Sequence, residues 1–234
     1  MTEDLLPRGP GKAAVVEDMF DTIAPRYDLI NRLMTFGMDR RWRRHTVAAL
    51  RLAAGSTVAD LACGTGDLCD EIARRGLAPI GFDVSAGMLA AAHTRAPRVR
   101  ADVITLPLAD ASVAGATCGF ALRNLTDLEA FLVELFRVVR PGGRIALLEV
   151  AEPTNAVLRA GHHLYFTKIV PKIGAALSDG AAYRYLPRSV AYLPPVPALL
   201  ALVEQAGFSD VSRQTFSGGV VQLIVGTRRT GAQS

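Results

Sequence analysis

The sequence predicts an α/β fold: a mostly parallel, seven-stranded sheet with helices on both faces, closed by an antiparallel hairpin. Three observations carry this. From residue 57 to 150, short apolar runs alternate with amphipathic helical stretches, the pattern of strands joined by helical crossovers. The first run enters a Gly64-Thr65-Gly66 turn and then a helix, a connection whose glycines let a ligand lie against the backbone. The length, 234 residues, suits one large domain rather than two.

Each element follows from local chemistry. Residues 1–14 are polar, with Pro7, Gly9, Pro10 and Gly11, and are expected to form a flexible tail. In residues 15–54, Met19, Phe20, Ile23, Tyr27, Ile30, Leu33 and Met34 recur at three- and four-residue spacing. Pro25, Asn31 and Gly37 break this stretch into short helices, an N-terminal helical cap. The core over 55–151 begins with a strand at 57–61 and a helix from Asp67 to a C-cap at Gly76. A strand at 79–83, a helix at 86–94, and strands at 98–102 and 117–121 come next. A helix at 128–139 is expected to stop at Pro141-Gly142-Gly143, before a strand at 144–150. Residues 152–200 break the rhythm; long, apolar and proline-punctuated, they read as a helical, lid-like insert over the strand ends. Residues 201–228 return to the core with a last helix and hairpin strands at 210–216 and 219–228, leaving 229–234 as a tail.

Composition narrows the setting. Half the chain is hydrophobic, yet no run nears the ~18 apolar residues of a membrane span. Glu3 and Asp4 come early with no apolar stretch, so no secretory signal is expected. Cys63, Cys69 and Cys118 form no disulfide framework or C-x-x-C pair and read as small packing residues, which places the protein in a reducing cytoplasm. The net charge is +4, with Arg40, Arg41, Arg43, Arg44 and His45 crowded around Trp42. The ordinary reading is a solvated helix face with an aromatic anchor. An anionic lipid surface ranks next. Nucleic acid is not expected, since no stacking aromatics are interleaved with the cations.

Ligands of such sheets sit at the carboxyl ends of the strands. Asp60, Asp83, Asp102 and the residues after Phe120 all fall there. Asp83 can accept the hydroxyls of a ribose, and Asp102-Val103 can meet the amino group and ring face of an adenine. Each acid alone reads as a cap or turn residue. Three at successive strand ends, beside the glycine turn, read as a nucleoside site. Cys69 stands at the third glycine position of the dinucleotide fingerprint, which argues against a nicotinamide cofactor. Asp60, four positions before the turn, instead makes it resemble motif I of class I S-adenosyl-L-methionine (SAM) methyltransferases.

From residue 15 to 228 the chain resembles the ubiquinone/menaquinone-biosynthesis C-methyltransferases. The resemblance rests on Phe20-Asp21-Thr22-Ile23-Ala24-Pro25-Arg26-Tyr27-Asp28-Leu29-Ile30-Asn31, on the segment around Trp42, and on Asp83-Val84-Ser85 with Met88-Leu89. It continues through Leu122-Arg123-Asn124-Leu125-Thr126-Asp127, Arg137-Val138-Val139-Arg140-Pro141-Gly142-Gly143-Arg144 and Leu148-Glu149. Pro171-Lys172-Ile173-Gly174 and residues 182–189 complete it. It implies C-methylation of a polyprenylated quinol, turning a demethylmenaquinol into a menaquinol, with SAM as donor. Thr65, Asp83, Asp102 and Val103 would contact SAM, while Asp60, Gly64 and Gly66 would shape the methionine end of its site. The partners implied are a lipid quinol and a peripheral contact with the cytoplasmic face of an anionic membrane; a homodimer is compatible.

The same resemblance makes Arg123 and Asn124 the candidate catalytic pair. Arginine is not deprotonated in proteins, so Arg123 is better suited to stabilise a phenolate while water or another group takes the proton, with Asn124 orienting that water or the phenol oxygen. The plainer reading is a helix-entry turn, Asn124 capping and Arg123 paired to an acid. Tyr27 and Tyr183 could line a pocket, though core aromatics are the commoner outcome, and His162-His163 point apart on a helix. No His, Cys and carboxylate cluster has metal-ligand spacing, so no metal is expected. The sequence departs from the family's usual residues at Asp39, Gly119, Ala121 and Ile224. Three rivals stay open: a relative acting on a ubiquinone precursor or a non-prenylated aromatic, a non-catalytic SAM-binding protein, and a nicotinamide-dependent oxidoreductase.

Overall fold

The computed structural model describes residues 10–170, 172 and 189–230. Its strands are β1 (Thr57–Leu61), β2 (Ala78–Asp83), β3 (Arg98–Arg100), β4 (Val113–Gly119), β5 (Val139–Val150), β6 (Phe208–Phe216) and β7 (Val221–Arg228). They form one sheet in the order β3-β2-β1-β4-β5-β7-β6. The first five pair in parallel, and β7 runs antiparallel between β5 and β6. This is the expected seven-stranded sheet with its closing hairpin.

The central strands are buried on both faces, which is why β1 and β4 read as apolar runs rather than alternating ones. The helices are α1 (Pro10–Ile23), α2 (Tyr27–Met34), α3 (Asp39–Ala49), α4 (Asp67–Arg74), α5 (Ala86–Ala91), α6 (Leu128–Val138), α7 (Ala156–Leu164) and α8 (Val196–Gln205). Two cores sandwich the sheet. Phe131, Leu135, Leu199 and Val203 of α6 and α8 pack with Ala59, Leu61 and Leu147. Trp42, Val47, Leu68 and Ile72 of α3 and α4 pack with Val58, Ala146 and Leu148. Helix starts are capped as side-chain chemistry dictates: Asp127 accepts from the Ala130 N–H and Ser85 from that of Met88.

Four sequence expectations need correction. Helix α1 starts at Pro10, inside the segment expected as tail, because proline suits a first helical turn and Lys12 is tied into the core. Helix α6 ends at Val138, within a residue of the expected stop, but Pro141-Gly142-Gly143 is not a separate connection ahead of the next strand. It lies within β5, which opens with the Val139–Val113 pairing and then shifts register before Arg144 meets Gly115. Gly143 sits there because a side chain would stand 2.6 Å from the Ala114 carbonyl oxygen. Helix α5 and strand β3 are shorter than expected, so Asp102 lies on the loop just beyond its strand. The insert opens with α7 and a π-helical turn at Tyr165–Ile169. Tyr183 and most of the late motifs lie outside the described residues.

Candidate active site

Strand order reverses beside β1, which has β2 on one side and β4 on the other. Crevices open at such switch points. Both strands leave the sheet through left-handed residues: Ala62 has φ +51° and Phe120 φ +60°. Non-glycine residues take that conformation at a cost of roughly 1–3 kcal/mol each. The strain turns both chains outward at one place.

Beyond Ala62 the glycine turn forms. Gly64 has φ +55° and nothing within 4 Å of where a side chain would stand, so its backbone is open to a ligand. Gly66 has φ +95°, and a side chain there would meet Thr94 Cγ2 at 2.3 Å. Gly66 borders neither of the two cavities described below; it lets the Thr94 segment close behind the turn. The Asp83 carboxylate braces the turn, accepting from the Gly64 N–H at 2.7 Å and the Ser85 N–H at 2.9 Å. Burial pushes the Asp83 pKa up, and these N–H bonds pull against it. Asp60 is 1% exposed and accepts from the Thr117 hydroxyl at 2.7 Å and the Cys69 thiol at 3.4 Å. Burial pushes its pKa up to about 7. Asp102 accepts from the Ile104 N–H at 3.1 Å, and Val103 is buried beside it.

Asp60, Gly64, Thr65, Asp83, Asp102 and Val103 border one cavity, and Asn124 and Ala121 join them. The N-terminal helices roof it with Ala13, Val16, Phe20 and Tyr27. They are held by ties that sequence reasoning did not foresee, Thr65 among the residues that make them. Thr65 donates to Asp28 at 2.6 Å. His93 lies 3.3 Å from Asp28, 3.5 Å from Asp67 and 3.6 Å from Asp70. Asp21 accepts from the Ser85 hydroxyl and from the Gly87 N–H, fastening α1 to α5. Lys12, 5% exposed, donates to the carbonyls of Arg123 at 3.0 Å and Leu125 at 2.8 Å, and sits 3.8 Å over the Tyr192 ring. The only local signal for these ties was the density of polar residues on helices otherwise read as a cap.

A second, strongly apolar cavity adjoins the first. Phe20, Tyr27 and Phe120 border both. The left-handed turn at Phe120 sets its ring against Trp42, edge to face at 6.2 Å. Burial pushes the Tyr27 phenol above its ordinary pKa, and Arg43 and Arg123 pull it back. Arg123 borders this second cavity, not the first. Its guanidinium is 5% exposed and ion-paired with the fully buried Glu149. It also donates to the Phe120 carbonyl at 2.7 Å and the Ser189 hydroxyl at 3.0 Å. Glu149 further accepts from the Arg123 N–H at 3.1 Å and the Val150 N–H at 2.7 Å. The structure therefore realises the paired-arginine reading while leaving Arg123 on the cavity wall. In sequence, Glu149 stood out only as the end of a shared motif.

The expected basic cluster also needs correction. Arg43 is buried, paired with Asp39 and, at 2.9 Å, with Asp67. Arg40, Arg41 and Arg44 alone are exposed. Asp39 thus has a structural duty, taking a 2.9 Å hydrogen bond from Thr35 as well. At Gly119 a side chain would come 2.8 Å from Leu68 Cδ1, so glycine and Leu68 fit each other. Ile224 is buried in the core and borders neither cavity. Among the described residues, no group of His, Cys, Asp and Glu could hold a metal ion.

Comparison with known proteins shows the family and the fold. Residues 10–228 match the family model described as the ubiE/COQ5 methyltransferase family. The chain is 42% identical over 219 residues to a ubiquinone/menaquinone biosynthesis C-methyltransferase of Syntrophotalea carbinolica, covering 90% of this chain and 92% of that one. It is 41% identical over 238 residues to a demethylmenaquinone methyltransferase of Roseiflexus castenholzii, covering 98% and 100%. In fold it resembles a SAM-dependent methyltransferase of Thermotoga maritima, with TM-score 0.64, 17% identity, and coverage of 91% and 99%.

Proposed function

The chain belongs to the ubiE/COQ5 methyltransferase family, and from that premise we propose that it methylates the ring of a polyprenylated naphthoquinol, turning a demethylmenaquinol into a menaquinol. It is a SAM-dependent C-methyltransferase of menaquinone biosynthesis. The observation that carries the site assignment is the shared wall. A cavity edged by strand-end carboxylates meets an apolar one across Phe20, Tyr27 and Phe120.

The first cavity fits SAM. Open space at Gly64, a carboxylate at Asp83, and an acid beside a buried valine at Asp102-Val103 match the amphiphilic parts of that molecule. Thr65, Asp83, Asp102 and Val103 would hold it, with Asp60 and Gly64 at its methionine end and Gly66 acting indirectly. When bound, SAM supplies an electrophilic methyl group.

The remaining task is electron density on the acceptor. A quinol ring carbon becomes nucleophilic once a phenol has given up its proton. Arg123 stands on the acceptor cavity with Glu149 holding its guanidinium in place. Its fixed positive charge favours the phenolate over the phenol, the preorganised electrostatic stabilisation that enzymes rely on. Glu149 positions it. Asn124 borders the donor cavity and would orient the water that accepts the proton. The oily walls around Trp42, Leu158 and Phe166 would take the prenyl tail. A lipid acceptor implies a peripheral contact with an anionic membrane on its cytoplasmic side; no helix among the described residues is long and apolar enough to cross one.

The test is incubation of the purified protein with methyl-labelled SAM and reduced demethylmenaquinone of two tail lengths. Label is expected on the naphthoquinol ring. Donor binding without transfer would discard the quinol assignment and send the search to ubiquinone precursors or tail-less aromatics.

A further inference from the structure

We propose that the protein docks on an anionic bilayer through the rim of its apolar cavity, formed by the elbow between α2 and α3 and by α7 with the π-helical turn after it. This rests on the lipid-acceptor reading above and names the surface that collects the lipid.

Twelve large hydrophobic side chains are exposed among the described residues, and eight belong to these two segments. Val157 is 80% exposed, Phe36 75%, Leu164 59% and Leu29 56%. Single exposed hydrophobics need no explanation, but grouped ones mark contact surfaces. The segments are distant in sequence and adjacent in space. The Tyr165 hydroxyl donates to the Met34 carbonyl at 2.9 Å, and the Phe36 and Tyr165 rings lie 5.9 Å apart. Leu29 and Leu33 fall one turn apart on the same side of α2. Phe36 is in addition left-handed, with φ +51°. That conformation is unfavourable for a bulky residue, and in water it would be combined with a side chain left mostly exposed.

The rim is continuous with the cavity, because Phe36, Met38, Val157 and Leu158 border its interior as well. A prenyl chain could pass from bilayer to the Arg123 wall along apolar surface throughout. The charge around the rim fits an anionic layer. Arg32, Arg40 and Arg41 on one segment and Arg159 and Lys168 on the other are exposed, as is Lys172 just beyond. Between 29 and 41 and between 152 and 170, the one exposed acid is Glu152. Cations flanking apolar tips are the signature of an interfacial anchor. They also disfavour a second copy as the occupant. A two-fold interface sets a patch against itself and would bring these cations face to face.

The full chain should be mixed with phosphatidylcholine vesicles, with and without phosphatidylglycerol, and the bound fraction measured by flotation. Binding is expected on the anionic vesicles alone and should fall with added salt. The variant Leu33→Ser/Leu164→Ser/Ile169→Ser changes exposed residues that border neither cavity. It should partition at least about tenfold less and methylate a short-tailed, water-soluble acceptor at the unsubstituted rate. Failure of the unsubstituted protein to bind anionic vesicles, or undiminished binding by the variant, overturns the proposal. So does a dimer in sedimentation equilibrium that the same substitutions disperse. Turnover of the short-tailed acceptor is read separately: its absence in the unsubstituted protein counts against the quinol assignment, while flotation still decides the docking.

Discussion

Lys12 and Arg123 are joined by a hydrogen bond of 3.0 Å from the lysine ammonium to the arginine carbonyl, across 111 positions of sequence. One cation thereby ties the first helix to the turn that carries both candidate catalytic residues. Hydrogen bonds involving a charged group are worth about 1.5–3 kcal/mol. Lys12→Met keeps the volume and removes two of them, so it should destabilise the fold by about 2 kcal/mol or more, read by urea unfolding. The KM for SAM should also rise, because α1 roofs the donor cavity. An unchanged KM would mean that the roof holds without this tie.

Asp83 serves the donor cavity twice, as a wall and as the brace of the Gly64 turn. Asp83→Ala should therefore abolish SAM binding measurable by calorimetry. Near-normal affinity in that variant would remove Asp83 from the site.

Arg123 and Glu149 form a buried pair, and removing one member of such a pair costs about 3–5 kcal/mol because the other stays buried and charged without its counter-ion. Glu149→Gln should show a loss of this order in chemical denaturation. A Glu149→Met/Arg123→Met double variant should lose less than the two singles added together. Arg123→Ala should keep SAM affinity, since Arg123 does not border the donor cavity, and lose turnover. Undiminished turnover would leave Arg123 a purely structural residue.

Asp60 gives a pH dependence whose sign is fixed by burial. Its carboxyl is raised to about 7 in the fold, against about 3.9 in an unfolded chain. Between those values the folded state binds the extra proton. Its share of stability is full below about pH 4 and is lost as pH rises through about 7, by at most about 4 kcal/mol. Asp60→Asn cannot ionise, so its stability relative to the unsubstituted protein should increase from pH 5 to pH 8 in urea titrations. A constant difference would mean that Asp60 keeps an ordinary pKa.

Local pattern was enough for the sheet and for bringing the acids at 60, 83 and 102 to one cavity. Strand β1, the glycine turn and the acids at 60, 83 and 102 are consecutive signals, each decided by a few neighbouring residues. What local pattern hid was pairing over distance. Pro141-Gly142-Gly143 looks like a helix stop until Val139 is seen against Val113. Lys12 looks like tail until the turn at 122–124 folds back to meet it. Arg43 counts as surface charge until Asp39 and Asp67 close around it. Glu149 is only the end of a shared motif until Arg123 arrives.

The three-residue partition of Phe20, Tyr27 and Phe120 has an evolutionary reading. One chamber is furnished by strand ends, and the other largely by α2, α7 and the tip of the hairpin. If the proposed assignment of the two chambers holds, changes in those outlying pieces would trade one acceptor for another without disturbing the grip on the donor. A lineage of such enzymes can therefore diversify its products cheaply, so long as those three rings keep their place.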